Sequence, residues 1–218
     1  MERKENKKKK LPRVDKEIYW IFGVMALIVV VFIAFSFIFQ SLRTFEYQGL
    51  TFTKDASGPV TFYQYYYSLL TRDGKIRQFT LNLREDPRKN NVPVEGEIFF
   101  KRGKFVYVTL NETGLAECPF AQPAVGSLAT FIVGNDYDMQ AGTPDIKEAE
   151  EKGRKYVTCE NRPEHIVILI QKGNETKITK QDNCHIMNIN NCEINPAIEK
   201  FMVQAILDGK NRTLEELS

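Results

Sequence analysis

Signatures of catalysis are missing from this chain of 218 residues. It has two histidines, His165 and His185, and neither lies in a recognisable nucleophile motif. The sequence contains no G-x-S-x-G, no H-E-x-x-H, no phosphate-binding glycine-rich loop and no EF-hand loop. It therefore offers no defined catalytic machinery, and we expect no cofactor.

One long apolar run is present instead. Residues 18–39 carry no charge and are interrupted only by Gly23 and Ser36. A helix of that length extends roughly 33 Å, enough to cross the hydrocarbon core of a bilayer. The alternative is a cleaved signal peptide, whose apolar region usually has about 7 to 15 residues and ends at a small-residue cleavage site. Because this run is longer and lacks an A-x-A pattern, we predict an uncleaved transmembrane signal anchor.

The charges around the run indicate its orientation. Residues 1–17 contain eight basic and four acidic side chains, whereas residues 40–59 contain only two bases, Arg43 and Lys54. Since cytoplasmic flanks retain Lys and Arg, the tail should stay in the cytoplasm of this single-pass protein of the cell membrane, and the C-terminal domain should lie outside. The tail is expected to contact the lipid bilayer and not nucleic acid, because the rest of the chain has nearly balanced charges.

The chain has four cysteines, and all of them follow the apolar run: Cys118, Cys159, Cys184 and Cys192. An even number of cysteines outside the cytoplasm favours disulfides. There is no C-x-x-C, and seven residues separate the closest pair, which suits neither a zinc knuckle nor a thioredoxin-type site, so we expect no metal. Of the three possible pairings, we favour Cys184–Cys192 with Cys118–Cys159, because short closures and sequential pairs form most readily.

Three Asn-x-Thr sequons, at Asn111, Asn174 and Asn211, also lie in the part predicted to be external. The composition predicts roughly one sequon by chance, so three is a mild excess. Asn also suits turns, which is the alternative reason for its presence at the first two positions. We therefore predict these three residues as candidates for glycosylation.

After the apolar run the hydrophobic pattern changes to a period of two, which predicts strands. The predicted strands are residues 44–53, 60–70, 75–84, 97–101, 104–110, 155–159, 165–171, 176–180 and 184–188. Helices are predicted at residues 124–133 and 196–207, the second beginning at Asn195 and stopping at Gly209. A short polar helix is expected from Thr143 to near Gly153.

These elements predict one α+β domain, mainly antiparallel, that follows the transmembrane helix. It should cover residues 40–209 and contain two or three helices, the last of them C-terminal. Residues 210–218 are expected to form a flexible C-terminal tail. The domain is large enough for a real core, so disulfides would reinforce packing and not replace it.

The segment Phe62-Tyr63-Gln64-Tyr65-Tyr66-Tyr67 has the most unusual local composition. In a strand, Tyr63, Tyr65 and Tyr67 share one face. Such a row could be a partner surface, because tyrosine supplies broad contact area with a polar group. The alternative, which we favour, is a strand with one face in the core and tyrosines lining the other.

Two segments carry a family resemblance. They are Lys-Leu-Pro-Arg-Val-Asp-Lys-Glu-Ile-Tyr-Trp at residues 10–20, and the stretch from Asn183-Cys184 to Asn191-Cys192-Glu193-Ile194. In these segments the chain resembles uncharacterised single-pass envelope proteins of small-genome archaea. The resemblance covers the anchor and the last third of the chain. It implies a location in the cell envelope, which would fit the sequons, and it implies no activity.

Two functional hypotheses follow. The leading one is a non-catalytic envelope protein whose external domain binds another surface protein or a glycan. The second is a membrane-tethered hydrolase or transferase that uses Asp and Glu chemistry, with Glu85, Asp86, Asp136 and Asp138 as the candidate carboxylates. The segment 135–138 could also gather oxygens around Ca²⁺, but it lacks the later ligands and the Gly of a defined loop, so we interpret it as a solvated turn.

Overall fold

The computed structural model describes residues 13–217, except for the side chains of residues 13–16, 38–40, 42 and 214–217. Most of the predicted basic tail, residues 1–17, therefore lies outside the described residues. The chain divides into two compact units, Met1–Phe45 and Glu46–Ser218.

The first unit consists mainly of helix α1 (Arg13–Arg43), which contains the apolar run. Its span Glu17–Phe37 is 21 residues long, apolar enough to cross a membrane, and has no buried side chain. Among the described residues it is the one helix that meets these conditions. The hydroxyl of Ser36 donates to the carbonyl of Phe32, so this polar group is satisfied within the helix.

A four-stranded antiparallel sheet follows, in the order β1-β2-β3-β4. Its strands are β1 (Thr44–Tyr47), β2 (Leu50–Asp55), β3 (Phe62–Leu70) and β4 (Ile76–Leu83). The first predicted strand is divided by a turn at Gln48 and Gly49, both of which have positive φ. The Asp-Gly hairpin turn predicted between β3 and β4 is present, with Gly74 at φ +77°.

A larger, mixed sheet has the order β5-β10-β11-β9-β6-β7-β8. Its strands are β5 (Val94–Glu95), β6 (Val106–Leu110), β7 (Met139–Thr143), β8 (Lys155–Tyr156), β9 (Ile166–Lys172), β10 (Lys177–Gln181) and β11 (Cys184–Ile189). The α+β class is confirmed. However, β11, β9, β6, β7 and β8 run parallel, because helical crossovers join β6 to β7 and β7 to β8.

Four helices belong to the second unit: α2 (Glu112–Leu115), α3 (Ala121–Gly134), α4 (Ile146–Lys152) and α5 (Ile194–Leu217). The short polar helix is confirmed, with Asp145 accepting hydrogen bonds from the N–H groups of Lys147 and Glu148, and with Gly153 in the left-handed conformation after its end. The predicted stop at Gly209 is wrong, since α5 continues to Leu217 through residues expected as a tail. Residues 97–101 form no strand.

The two faces of the larger sheet are covered differently. On one face, His185 of β11 packs edge-on against Phe100 and against Phe201 of α5, all three of them buried. On the other face, the segment that follows β8 packs its Val157 against Tyr107, Val167, Leu169 and Cys184. Both faces of these parallel strands are therefore covered, as such strands require.

All four cysteines form disulfides, but the favoured pairing is wrong. The bonds are Cys118–Cys192 and Cys159–Cys184, with Cα atoms 5.1 and 5.4 Å apart. The chain leaves β8, at one end of the sheet, and crosses back to β9, which brings Cys159 beside the start of β11. Cys118 and Cys192 both follow parallel strands, β6 and β11, and so meet at the same edge of the sheet. Topology, and not separation along the chain, decides the pairing.

Candidate functional site

The four-stranded sheet has a polar outer face, which the alternation of side chains along its strands creates. We call the following residues the outer face: Thr53 of β2, Gln64, Tyr66 and Ser68 of β3, and Gln78, Thr80 and Asn82 of β4. The register places them in cross-strand rows, with Gln64 opposite both Thr53 and Asn82, Tyr66 opposite Thr80, and Ser68 opposite Gln78. None of the seven side chains is buried, and Tyr66 is 59 % exposed.

Hydrogen bonds order the middle of the outer face. The hydroxyl of Tyr66 donates to Oε1 of Gln64 at 2.6 Å, and Nε2 of Gln64 donates to Oδ1 of Asn82 at 3.1 Å. This ladder fixes the orientation of two side-chain amides and holds the tyrosine beside them. Its last member, Asn82, keeps its Nδ2 donors facing solvent, and no partner for them is found among residues 13–217.

The seven outer-face residues include no ionisable group other than the Tyr66 hydroxyl, although 27 % of the chain is charged. Exposed Glu46 of β1 alternates with half-buried Tyr47 and therefore borders this face beyond β2. Charged Asp55 stands one row away, opposite Phe62. At the other end, Leu70 and Ile76 form an exposed apolar pair, 53 % and 76 % exposed. An aromatic ring with oriented amides on a flat neutral surface can bind a partner by stacking and hydrogen bonding. The seven residues include no carboxylate, imidazole or thiol.

The predicted tyrosine row lies on the opposite, inner face. Tyr65 and Tyr67 stack with ring centroids 5.7 Å apart, and Tyr65 also contacts Phe52. Asn135, at the end of α3, exchanges hydrogen bonds with the hydroxyl of Tyr67. Burial raises the pKa of both tyrosine hydroxyls. Tyr65 and Tyr67 thus hold the sheet to α3, and a partner surface formed by Tyr63, Tyr65 and Tyr67 stays a prediction.

Sequence reasoning missed the outer face, although a signal was available. Residues 64, 66 and 68 and residues 78, 80 and 82 are uncharged polar or tyrosine at every second position in two consecutive strands. The repetition of such a pattern on both sides of a hairpin places the side chains on one face.

The four candidate carboxylates of the enzyme hypothesis lie at opposite ends of β4. Asp136 and Asp138 both bind the side chain of Arg72, just before the strand begins. Glu85 and Asp86 follow its end, and the eight residues between extend roughly 27 Å. Hydrogen bonding to Arg72 lowers the pKa of Asp138, and a bond from Arg88 lowers that of Asp86. The four groups are therefore not brought to one place.

Two carboxylates with raised pKa values, Glu85 and Glu199, lie beside the end of β4. Buried Glu199 of α5 accepts hydrogen bonds from the N–H groups of Arg84 and Glu85 at 2.7 and 3.1 Å. Burial raises the pKa of Glu199; burial and the nearby charge of Glu193 raise that of Glu85. The adjoining cavity measures about 10 Å³, room for a single water, so it admits no organic substrate.

A third cluster joins α2 to α4. Glu112 is paired with Lys152 and Arg154, while buried Glu148 accepts hydrogen bonds from Lys152 at 2.8 Å and from the hydroxyl of Thr143 at 3.0 Å. Bonding to Arg154 and Lys152 lowers the pKa of Glu112 to about 2. Because this carboxylate is ionised and neutralised, it is suited to fastening two helices and not to donating a proton.

The remaining predicted residues are scattered. Asn174 and Asn211 are exposed, whereas Asn111 is half-buried and its side chain accepts a hydrogen bond from the Gly114 N–H at the start of α2. Their glycosylation stays a prediction. Within residues 13–217, no group of three His, Cys, Asp or Glu side chains is arranged to hold a metal ion. Comparison with protein-family models, curated proteins and solved structures found no match to this chain.

Proposed function

We propose that this chain is a single-pass membrane protein of the cell envelope whose domain, Glu46–Ser218, lies outside the cytoplasm and binds a partner without transforming it. Of the two partner classes expected from the sequence, a glycan or another surface protein, the outer face favours a neutral glycan. The observation that carries the proposal is the Tyr66–Gln64–Asn82 ladder, whose three side chains and their cross-strand neighbours carry no charge.

The chemistry of the ladder matches that of a sugar. A pyranose ring has an apolar face of C–H groups, which an exposed aromatic ring can contact, and hydroxyls that both donate and accept hydrogen bonds. Asn82 supplies free amide donors, and the Tyr66 oxygen keeps lone pairs that accept. A sulfated or uronic-acid chain would find no counter-charge here, so a neutral glycan fits best.

Two further observations support the proposed location of the domain outside the cytoplasm. The span Glu17–Phe37 is long and apolar enough to anchor the chain, and the basic residues before it favour a cytoplasmic N-terminus. Two disulfides are typical of proteins that fold outside the reducing cytoplasm. An epitope tag placed after Ser218 should be detected by antibody on intact cells; detection only after lysis would contradict this orientation.

Glycan binding can be measured with the full chain in mild detergent, on arrays of neutral and of acidic oligosaccharides. We expect retention on neutral glycans and a loss of affinity of about tenfold or more for Tyr66→Ala, because an aromatic contact often dominates a small interface. Tyr156→Ala is the matched control, since Tyr156 is 41 % exposed but belongs to the larger sheet. Failure to bind any neutral glycan, or equal loss in both variants, would overturn the proposal.

A further inference from the structure

A groove lies beside β4, one of the two edge strands of the four-stranded sheet. It has a volume of about 350 Å³ and runs between β4 and α3. Six of the residues that line it are Phe79, Leu81, Ser127, Thr130, Phe131 and Met202. We call it the edge groove. Its floor is made by the inward-facing side chains of β4, and its rim includes Thr80 and Asn82 of the outer face.

Small residues of α3 keep the groove open. Ser127 and Thr130 leave space above β4, and their hydroxyls donate to carbonyls of their own helix, at Ala124 and Gly126. At the end of the helix the two elements approach closely: a Cβ on Gly134 would lie 3.2 Å from the ring of Phe79. The helix is therefore held against the sheet at Gly134, and the space widens towards Ser127.

The main chain beside the groove is unpaired. β4 is the last strand of its sheet, and its other edge pairs with β3 along its whole length. On the free side, no backbone bond to residues 76–83 is found among the described residues. The next two N–H groups, of Arg84 and Glu85, are taken by the carboxylate of Glu199. The unpaired edge of β4 therefore ends at Leu83.

Open edges of this kind are usually protected by proline, a bulge, an inward-pointing charge or a very short strand. β4 has eight residues and no proline. Its one charged side chain, Arg77, lies on the same face as Phe79 but binds Asp73 at the turn, and the side chains from Phe79 to Leu83 are all uncharged. All the residues that line the groove are likewise uncharged. An occupant that brought an ion into this space would leave it unpaired, at a large desolvation cost.

We propose that the edge groove binds an extended polypeptide segment of a partner protein, which adds to β4 as a fifth strand. Every second side chain of that segment would enter the groove and should be apolar and uncharged, while the alternate side chains would continue the outer face. Main-chain hydrogen bonds to β4 would pair the added strand with the sheet. The groove would select segments in which apolar side chains occupy every second position. Strand addition requires no bound glycan, although Asn82 lies at both proposed sites.

The segment formed by residues 78–83 has the required alternation, with Phe79, Leu81 and Leu83 separated by Thr80 and Asn82, and it omits the charged Arg77 of the same strand. A fluorescein-labelled peptide copying it is therefore a suitable probe for the full chain in mild detergent. Two further peptides carry N-methyl groups at alternate positions, one set for each edge of the strand. Pairing through one edge predicts that one methylated peptide binds like the parent and that the other loses affinity by about tenfold or more.

Variants of the full chain test the groove. Thr130→Trp fills it and should weaken binding of the copied peptide at least about tenfold, whereas Gln122→Trp, at an exposed position of α3 outside the groove, should leave binding within about twofold. Thr130→Trp fills a groove that Asn82 of the ladder also lines, whereas Tyr66 does not line it. Tyr66→Ala should therefore weaken glycan binding and leave binding of the copied peptide within about twofold, so the two proposals can fail separately.

Three outcomes would overturn the inference. They are no binding of the copied peptide, equal binding of both methylated peptides, and binding that Thr130→Trp does not reduce. Self-association of the full chain that Thr130→Trp abolishes would also overturn the assignment to a foreign segment, because the occupant would then be a second copy of this chain.

Discussion

The two sheets of the second unit, Glu46–Ser218, bury their apolar side chains in different ways. The larger sheet has five parallel strands, with α5 packed on one face and the segment after β8 on the other. The smaller sheet is antiparallel, covers its inner face with α3 and exposes its outer face. Parallel strands need cover on both sides, whereas antiparallel strands tolerate water on one.

Because of this difference, we expect the larger sheet to contribute most to folding stability and the smaller sheet to contribute most to binding. The disulfides and half of the twelve largest fully buried side chains belong to the larger sheet and its covering segments. The neutral outer face and the open edge belong to the smaller one. Substitutions in the larger sheet should therefore change the free energy of unfolding, and substitutions on the outer face should change binding.

The largest expected contrast is between Phe201→Ala and Tyr66→Ala. Phe201 is fully buried against Phe100 and His185, so its truncation should lower the free energy of unfolding by about 3–5 kcal/mol. Tyr66→Ala removes an exposed side chain and should cost about 0.5 kcal/mol or less. Urea unfolding of the full chain in mild detergent, followed by circular dichroism, measures both; similar losses would remove the distinction between the sheets.

The two disulfides provide the next contrast. Cys118–Cys192 spans 74 residues and Cys159–Cys184 spans 25. The loop-entropy model then predicts losses of about 4 and about 3 kcal/mol when each pair is replaced by serine. The same unfolding experiment ranks them. A larger loss from the shorter loop would indicate that covering the face near Val157 matters more than restricting the unfolded chain.

His185 should make the larger sheet sensitive to acid. Burial, with a smaller effect of Lys180, lowers the pKa of its imidazole from 6.5 to about 4. Its contribution is present above pH 6.5 and is lost as the pH falls towards 4, because the unfolded chain binds the proton first; the total is on the order of 3 kcal/mol. His185→Gln should flatten this part of the curve of unfolding free energy against pH.

Glu199 should make the free energy of unfolding depend on pH in the opposite direction from His185. Burial raises the pKa of its carboxyl, so its contribution is present below the usual value of 4.5 and is lost as the pH rises. The difference between the native chain and His185→Gln therefore isolates the histidine. An unchanged slope between pH 6.5 and 4 in His185→Gln would contradict the assignment.

The smallest contrast concerns single hydrogen bonds. The hydroxyl of buried Thr109 in β6 donates to the carbonyl of Val157 at 3.1 Å, so Thr109→Val should cost about 1–2 kcal/mol. Gln64→Ala breaks both bonds of the ladder but leaves every group in water, and should cost about 0.5 kcal/mol or less. Equal costs, measured by urea unfolding, would mean that the ladder contributes to folding as well as to binding.

Local patterns in the sequence predicted local structure well. The uncharged run 18–39 forms part of α1, and Asp145 and Gly153 mark the two ends of α4 as expected. The hairpin between β3 and β4 follows from its Asp-Gly turn and from alternation on both sides. Each of these features depends on residues that are close together in the chain.

Features that depend on distant residues were not predictable. β7, Met-Gln-Ala-Gly-Thr, has one β-branched residue and becomes a strand because it pairs with β6. The cysteine pairing depends on the strand order, which no local pattern reveals. The edge groove combines Phe79, Thr130 and Met202 from three separate elements, so only the folded chain shows it.

The nesting of the disulfides has a consequence for how the molecule survives damage. Cys159 and Cys184 both lie inside the loop closed by Cys118 and Cys192. A single cut by a protease anywhere between residues 118 and 192 would therefore leave the fragments covalently joined. The nicked chain would keep α1 and α5 in one covalent molecule until a reductant separated them.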